Sequence, residues 1–317
     1  MTQTPPPEKS PIPQRPLGRV LVTGARGFIG ATLLERLKRD GVAAVGSDLP
    51  SDKPASADFR PCDITDQGQV DALVDGDEFD TILHCGAVSG PMVMADRPLE
   101  IWRINAMGTA HLLEAARRHR VGRFLLCSTT EIFGSRSGPR IDEDTPPSPD
   151  GVYGASKVAA EQALIGYVRE RGLDGVALRL SWIYGPGRIT PTMLEQLLRA
   201  SLAGRPFEIE GSPAEVTHYL YIDDVVDGLL AAARAPRVPR LTYNITAGDG
   251  QTLEQVVSRL RAFAPETRVS FTGHGVHATG PAGFDLTQAA RDLGYRPRVP
   301  LAEGLRRYRE ALRSTPR

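Results

Sequence analysis

The chain has 317 residues, 41% hydrophobic and 24% charged, enough for one large or two modest domains with packed cores. Its 38 Lys+Arg balance 38 Asp+Glu, so it lacks the basic stripe that a phosphate backbone requires, and nucleic acid is excluded as a partner. No stretch reaches the ~18 apolar residues of a membrane span, and Cys62, Cys85 and Cys127 follow no metal-ligand spacing.

From the amino end, residues 1–16 carry Pro5, Pro6, Pro7, Pro11, Pro13 and Pro16 and no apolar core. They are predicted to be a disordered arm and not a secretory signal, which places the protein in the cytoplasm. Residues 19–22 form a short apolar strand that turns at Gly24, and residues 31–40 have helical apolar spacing that stops at Gly41. A second strand over 42–45 leads to Asp48. Residues 80–85 and 123–127 are buried strands, with a long helix expected around 100–120 between them. Cys85 and Cys127 fall in those runs as small core residues, consistent with a reducing compartment. Residues 158–171 read as a helix and 175–180 as a strand.

Strands alternating with helices require a parallel sheet covered on both faces. After about Trp182 the rhythm loosens, with a strand at 241–245 and short helices. That is a smaller α/β region at the sheet's carboxyl edge, where such sheets bind ligands. The expected division is the arm at 1–16, a nucleotide-type domain at 17–181 and a mainly substrate-binding region at 182–317.

Two motifs carry the chemistry. Gly24, Gly27 and Gly30 lie between the first strand and the first helix. Glycine there permits a tight turn, close backbone approach to a pyrophosphate and close packing of helix on strand, while the helix start offers free N–H groups. Asp48, about 20 residues on, suits the adenosine ribose hydroxyls and would repel a 2′-phosphate, so NAD is preferred over NADP. Arg26 inside the turn works against that preference.

Far downstream, Tyr153 and Lys157 are at i and i+4, on one helix face. Oxidising an alcohol needs a base for its proton. A phenol with a reference pKa near 10 serves at neutral pH if about three units, roughly 4 kcal/mol, are supplied by a nearby ammonium and a positive nicotinamide. Lys157 would also hold the nicotinamide ribose.

In this order, TGARGFIG at residues 23–30, Cys62-Asp63-Ile64, Leu83-His84-Cys85-Gly86-Ala87, Asn105-Ala-Met-Gly-Thr109 and Tyr153-Gly-Ala-Ser-Lys157 resemble the extended short-chain dehydrogenase/reductase family, the NAD-dependent epimerase/dehydratase group, over roughly residues 19–308. The resemblance implies a Rossmann-type doubly wound sheet. NAD would be lined by Gly24, Gly27, Phe28, Ile29, Gly30, Asp48, Asp63, Ile64, Cys85, Gly86 and Ala87, with Tyr153 and Lys157. It assigns Thr129, at the end of the fifth strand, to hold the reacting hydroxyl, and Asn105 to brace the central strands. It also implies a homodimer through a four-helix bundle, for which Met107, Leu112, Leu113 and Ala116 have the spacing of a seam, a pattern that serves equally for packing on the sheet.

Dehydratases of the group carry Asp-Glu after the Thr; here the pair is Thr130-Glu131, and Thr130 cannot act as the acid that elimination of water needs. Nucleotide-sugar enzymes carry Arg-Asp where this chain has Thr217-His218, Asn where it has Trp182, and a later Arg absent from residues 273–285. A guanidinium fork suits a diphosphate, and losing two charged contacts at ~1.5–3 kcal/mol each argues for a small polyhydroxy substrate without a nucleotide. His218, His274 and His277 could compensate in part. Ser89, Gly90, Thr130, Glu131 and Trp182 are the expected substrate contacts. Three readings follow: an NAD-dependent dehydrogenase of a sugar or sugar acid, a (nucleotide-)sugar epimerase that retains NAD, and a dinucleotide-sensing protein without chemistry.

Overall fold

The computed structural model describes residues 13–51, 58–136, 138–273 and 281–314. Seven strands form the main sheet: β1 (Val20–Thr23), β2 (Ala44–Asp48), β3 (Phe59–Pro61), β4 (Thr81–His84), β5 (Arg123–Thr129), β6 (Gly175–Leu180) and, after four short strands introduced below, β11 (Thr242–Ile245). Their order is β11-β6-β5-β4-β1-β2-β3, and every neighbouring pair is parallel. The chain winds outward in one direction from β1 and in the other from β4. The crevice between those two strands' carboxyl ends is therefore where such a sheet receives a ligand.

Alternate residues of each strand point to opposite faces. Val20, Val22, Leu83, Leu125 and Leu178 pack with Leu33 and Leu37 of α1 (Phe28–Arg39) and with Val225 and Leu229 from a later helix. Leu21, Ile82, Phe124, Leu126 and Ala177 pack on the other face with α2 (Gln67–Val74) and the helices that follow β4 and β5. This is the doubly wound α/β fold that the alternation predicts.

The helix expected over 100–120 is three pieces: α3 (Pro98–Trp102), a π-helical turn (Arg103–Met107) and α4 (Gly108–Arg118). The wider turn points Asn105 inward. Its Oδ1 accepts from Val88 N at 2.8 Å and its Nδ2 donates to Ser156 Oγ at 3.0 Å. It thus joins the loop after β4 to α5 (Val152–Arg171), the helix that carries Tyr153 and Lys157. Of the two uses open to this apolar face, sheet packing takes Leu112, Leu113 and Ala116, which are fully buried; burying each leucine contributes about 1.5–3 kcal/mol. The exposed apolar side chains of this stretch are Leu99, Trp102 and Met107.

β4 is also pinned from both sides. Thr109 donates its hydroxyl to Asn105 O at 2.6 Å, so His84 Nε2 must donate to Thr109 Oγ1 at 3.0 Å. His84 Nδ1 then accepts from Thr23 Oγ1 at 2.7 Å, which fixes a neutral ring.

Beyond β6 come β7 (Trp182–Tyr184), α6 (Met193–Leu202), β8 (Phe207–Ile209), β9 (Val216–Thr217), β10 (Tyr219–Tyr221) and α7 (Ile222–Arg234). β10 pairs with β7, while β8 and β9 each pair with a short later strand. The cut expected at residue 182 is not a clean one, because α7 packs into the main core and β11 completes the main sheet. At the other end, Arg15 of the proline arm is tied down: its N–H donates to Arg234 O at 2.7 Å and its guanidinium meets Asp174 at 3.7 Å. The rest of the arm, residues 1–12, lies outside the described residues, as do His274 and His277. Among the described residues no helix is long and apolar enough to cross a membrane, and no cluster of metal-ligating side chains occurs.

Candidate active site

The glycine turn is built without room for side chains. Gly24 has φ +68°, and a Cβ there would lie 2.6 Å from Gly86 N. A Cβ on Gly30 would lie 2.2 Å from Gly24 O. The turn after β1, the turn after β4 and the first turn of α1 therefore touch backbone to backbone. α1 starts at Phe28 with Gly27 as N-cap, no capping side chain and no acid in its first turn. Its leading N–H groups remain available to phosphate.

Asp48 ends β2 beside this turn. One carboxylate oxygen accepts from Arg26 N at 2.9 Å and the other from Leu49 N at 2.8 Å, which braces the carboxylate and leaves each oxygen a further lone pair. Arg26 turns away to stack over Phe59 at 4.0 Å and to donate to Leu49 O at 2.7 Å. Asp63 closes a local turn through Thr65, and Ile64 packs under Gly108. A cradle that a Cβ would fill, a bare helix start and a braced carboxylate fit a dinucleotide.

Thr129, Tyr153 and Lys157 come together at the mouth of the cradle. They line one chamber of about 110 Å³ with Ile29, Ala87, Ser89, Gly90, Thr130, Glu131 and Trp182. The Thr129 hydroxyl and the Gly90 backbone face the Tyr153 oxygen. Burial pushes this phenol up to about 12, opposed by those two groups and reinforced by the Glu131 carboxylate. Lys157 is 2% exposed. Burial pushes its ammonium down, while Cys127, Glu161 and Cys85 hold it up. Burial thus raises the phenol and lowers the ammonium, so an added positive charge beside them would favour the phenolate.

The residues expected to touch substrate thus share one chamber with Thr129, Tyr153 and Lys157, whereas Asp48, Asp63 and Ile64 do not line it. Cys127 is a buried core residue, as expected, and it also borders the chamber, its Sγ 3.5 Å from Cys85 Sγ. Sequence reasoning also misses Arg188. This guanidinium follows the Gly185-Pro186-Gly187 turn after β7, lines the chamber wall, donates to Ile183 O at 2.8 Å and has a buried Nε without a partner. Burial pushes it below its ordinary value. The Gly-Pro-Gly turn was the signal that could have found it.

An outer cleft of about 540 Å³ continues from the chamber past Glu131 and Trp182, between β7 and the β8–β10 segments. Its described lining holds Glu131, Glu208, Glu210 and Glu215 and no Lys or Arg. His218 forms part of the wall, with its Nε2 donating to Pro281 O at 3.1 Å and its ring edge-on to Phe284 at 4.9 Å. Thr217 is engaged with Gln251 O at 3.1 Å.

A doubly wound sheet with a glycine cradle and a Thr–Tyr–Lys chamber defines an NAD-dependent enzyme of the extended short-chain dehydrogenase/reductase type. The chain belongs to the NAD dependent epimerase/dehydratase family, whose profile matches residues 20–246. It is 31% identical to the dTDP-glucose 4,6-dehydratase of Actinoplanes sp., covering 90% of this chain and 95% of that protein. It is also 31% identical to the UDP-glucose 4-epimerase of Mycolicibacterium smegmatis, covering 93% and 99%. Similar solved structures include the Thermotoga maritima UDP-glucose 4-epimerase with UDP-glucose (TM-score 0.84, 26% identity, 93% and 99% covered). MoeE5 in complex with UDP-glucuronic acid and NAD is another (TM-score 0.82, 30% identity, 94% and 99% covered).

Proposed function

We propose that this protein is a sugar epimerase that oxidises a ring secondary alcohol, keeps its NAD and returns hydrogen to the same carbon. The observation that carries this reading is the chamber: Thr129 facing the Tyr153 oxygen, Lys157 one helical turn away, and Thr130 where elimination of water would need an acid.

NAD, when bound, takes up hydride and gives it back. Gly24, Gly27, Phe28, Ile29, Gly30, Cys85, Gly86 and Ala87 would seat it, with Asp48 at the ribose hydroxyls. Thr129 holds the reacting hydroxyl, and Tyr153 takes its proton. From about 12, bringing the phenol to neutrality requires about five units, roughly 7 kcal/mol, of stabilisation of the phenolate. A charged Lys157 would supply part of this, and the positive nicotinamide of a bound NAD would supply more.

The relatives' names carry UDP- and dTDP-linked sugars, and the outer cleft has room for a substantial handle. Its carboxylate-rich lining supports a second reading, net oxidation of a neutral sugar without a diphosphate. The exposed Leu99, Trp102 and Met107 support pairing with a second copy of the chain.

One panel separates the readings. The protein is incubated with NAD and UDP-glucose, dTDP-glucose, free sugars, aldonates and uronates, and isomers are followed by NMR and free reduced nicotinamide by absorbance. A new epimer without free NADH is the expected result. Free NADH from an unphosphorylated sugar establishes the second reading. Turnover unchanged in Tyr153→Phe overturns both.

A further inference from the structure

One helical turn past Lys157 on α5 lies Glu161, 1% exposed, in an ion pair that the proposed chemistry does not use. Arg179 of β6 donates to it through Nη2 at 2.9 Å and Nε at 3.1 Å. Ser128 Oγ, on β5, donates to the same carboxylate at 2.5 Å. Arg179 also donates through Nη1 to Glu143 O at 3.0 Å and lies over the Phe133 ring at 5.2 Å. Two buried charges are a poor route to stability, since an apolar pair of similar volume usually serves as well. Their position points to another use.

We infer that Glu161 is a positioning residue for the reaction, seating Ser128, and with it the adjoining Thr129 hydroxyl, against the helix that carries Tyr153 and Lys157. Three segments of the site converge on this one carboxylate: the end of β5, the catalytic turn of α5, and β6, which leads into Trp182. The inference rests on Tyr153 being the base.

The carboxylate has an electrostatic consequence as well. Lys157 faces His84 and Cys85 from β4, Cys127 from β5, and Glu161 from its own helix. Tyr153 faces Glu131, Cys127 and Arg188. Glu161 is the carboxylate among the groups around Lys157, and it favours the ammonium. Removing its charge lets Lys157 lose its proton more readily, so Tyr153 ionises at higher pH.

The test is Glu161→Gln, which keeps the shape and an acceptor for Ser128, alongside Ser128→Ala and the double variant Glu161→Gln/Arg179→Met, which removes both charges where the single variant folds poorly. In Glu161→Gln, kcat at neutral pH falls about tenfold, KM stays within about twofold, and the rising limb of the pH profile moves up by about one unit. The double variant shifts in the same direction. Ser128→Ala lowers kcat without moving the limb. Tyrosinate absorbance of the NAD-loaded protein, referenced to Tyr153→Phe, reads the same shift without turnover, which separates this inference from failure of the base assignment. A lowered melting temperature with kcat, pH limb and tyrosinate titration unchanged would show a purely structural pair and overturn it.

Discussion

Replacing Lys157 by Met removes one buried charge while keeping much of the side chain's volume, and its effect can be sized. Tyr153 stands at about 12 through burial, so at neutral pH its phenolate fraction is about one in 10⁵ without a bound cofactor. An opposite charge at close range is worth about 1–3 units to such a group, or about 1.4–4 kcal/mol. Lys157→Met is therefore expected to slow the chemical step about 10- to 1000-fold at neutral pH. Its rate should climb about tenfold per pH unit well above the wild-type limb, because the phenolate then forms only as hydroxide becomes plentiful. The assay is single-turnover reduction of bound nicotinamide across the pH range, with NAD affinity measured in parallel so that loss of cofactor is not mistaken for loss of chemistry. A loss below about threefold, or a deficit that does not shrink with rising pH, would mean that another group takes the proton.

Two further outcomes bear on the cradle and the chamber. Gly30→Ala puts a Cβ 2.2 Å from Gly24 O; α1 must move, and NAD titration should show at least a hundredfold weaker binding with about 1–3 kcal/mol lost from the thermal melt. Unchanged affinity would place the dinucleotide elsewhere. Arg188→Gln leaves NAD affinity intact and raises KM about 10- to 100-fold if the guanidinium meets an anionic part of the substrate; steady-state kinetics showing a fall in kcat with KM unchanged would contradict that role.

What could be read from the sequence is what depends on neighbours along the chain. The glycine turn follows from where a Cβ cannot fit, and the Tyr153–Lys157 pair from helical spacing, so both survive folding unchanged. For Leu112, Leu113 and Ala116 two covers stayed open, because helical periodicity marks an apolar face without naming what covers it; the sheet does. Arg188 and Glu161 were missed for a related reason. A charged residue becomes an interior one only when distant segments close over it, as β5 and β6 do over Glu161 and the chamber walls from β5 and α5 do over Arg188. Cys127 is the core residue its apolar run predicts, while its nearness to Cys85 is set by the register of β4 on β5.

His84 gives the molecule an Achilles heel in acid. Enclosed between two threonine hydroxyls, it is driven down to about 3 by burial and then by the charge of Lys157, against about 6.5 in an unfolded chain. Because protonation is disfavoured only in the native state, its contribution is whole above about pH 6.5 and drains away as acidity increases, by about 1.4 kcal/mol per unit and about 5 kcal/mol in all. That is comparable to the total stability of many domains. The first bonds to go under acid stress would be those joining β1, β4 and α4, so mild acidification should release the cofactor before the rest of the fold yields.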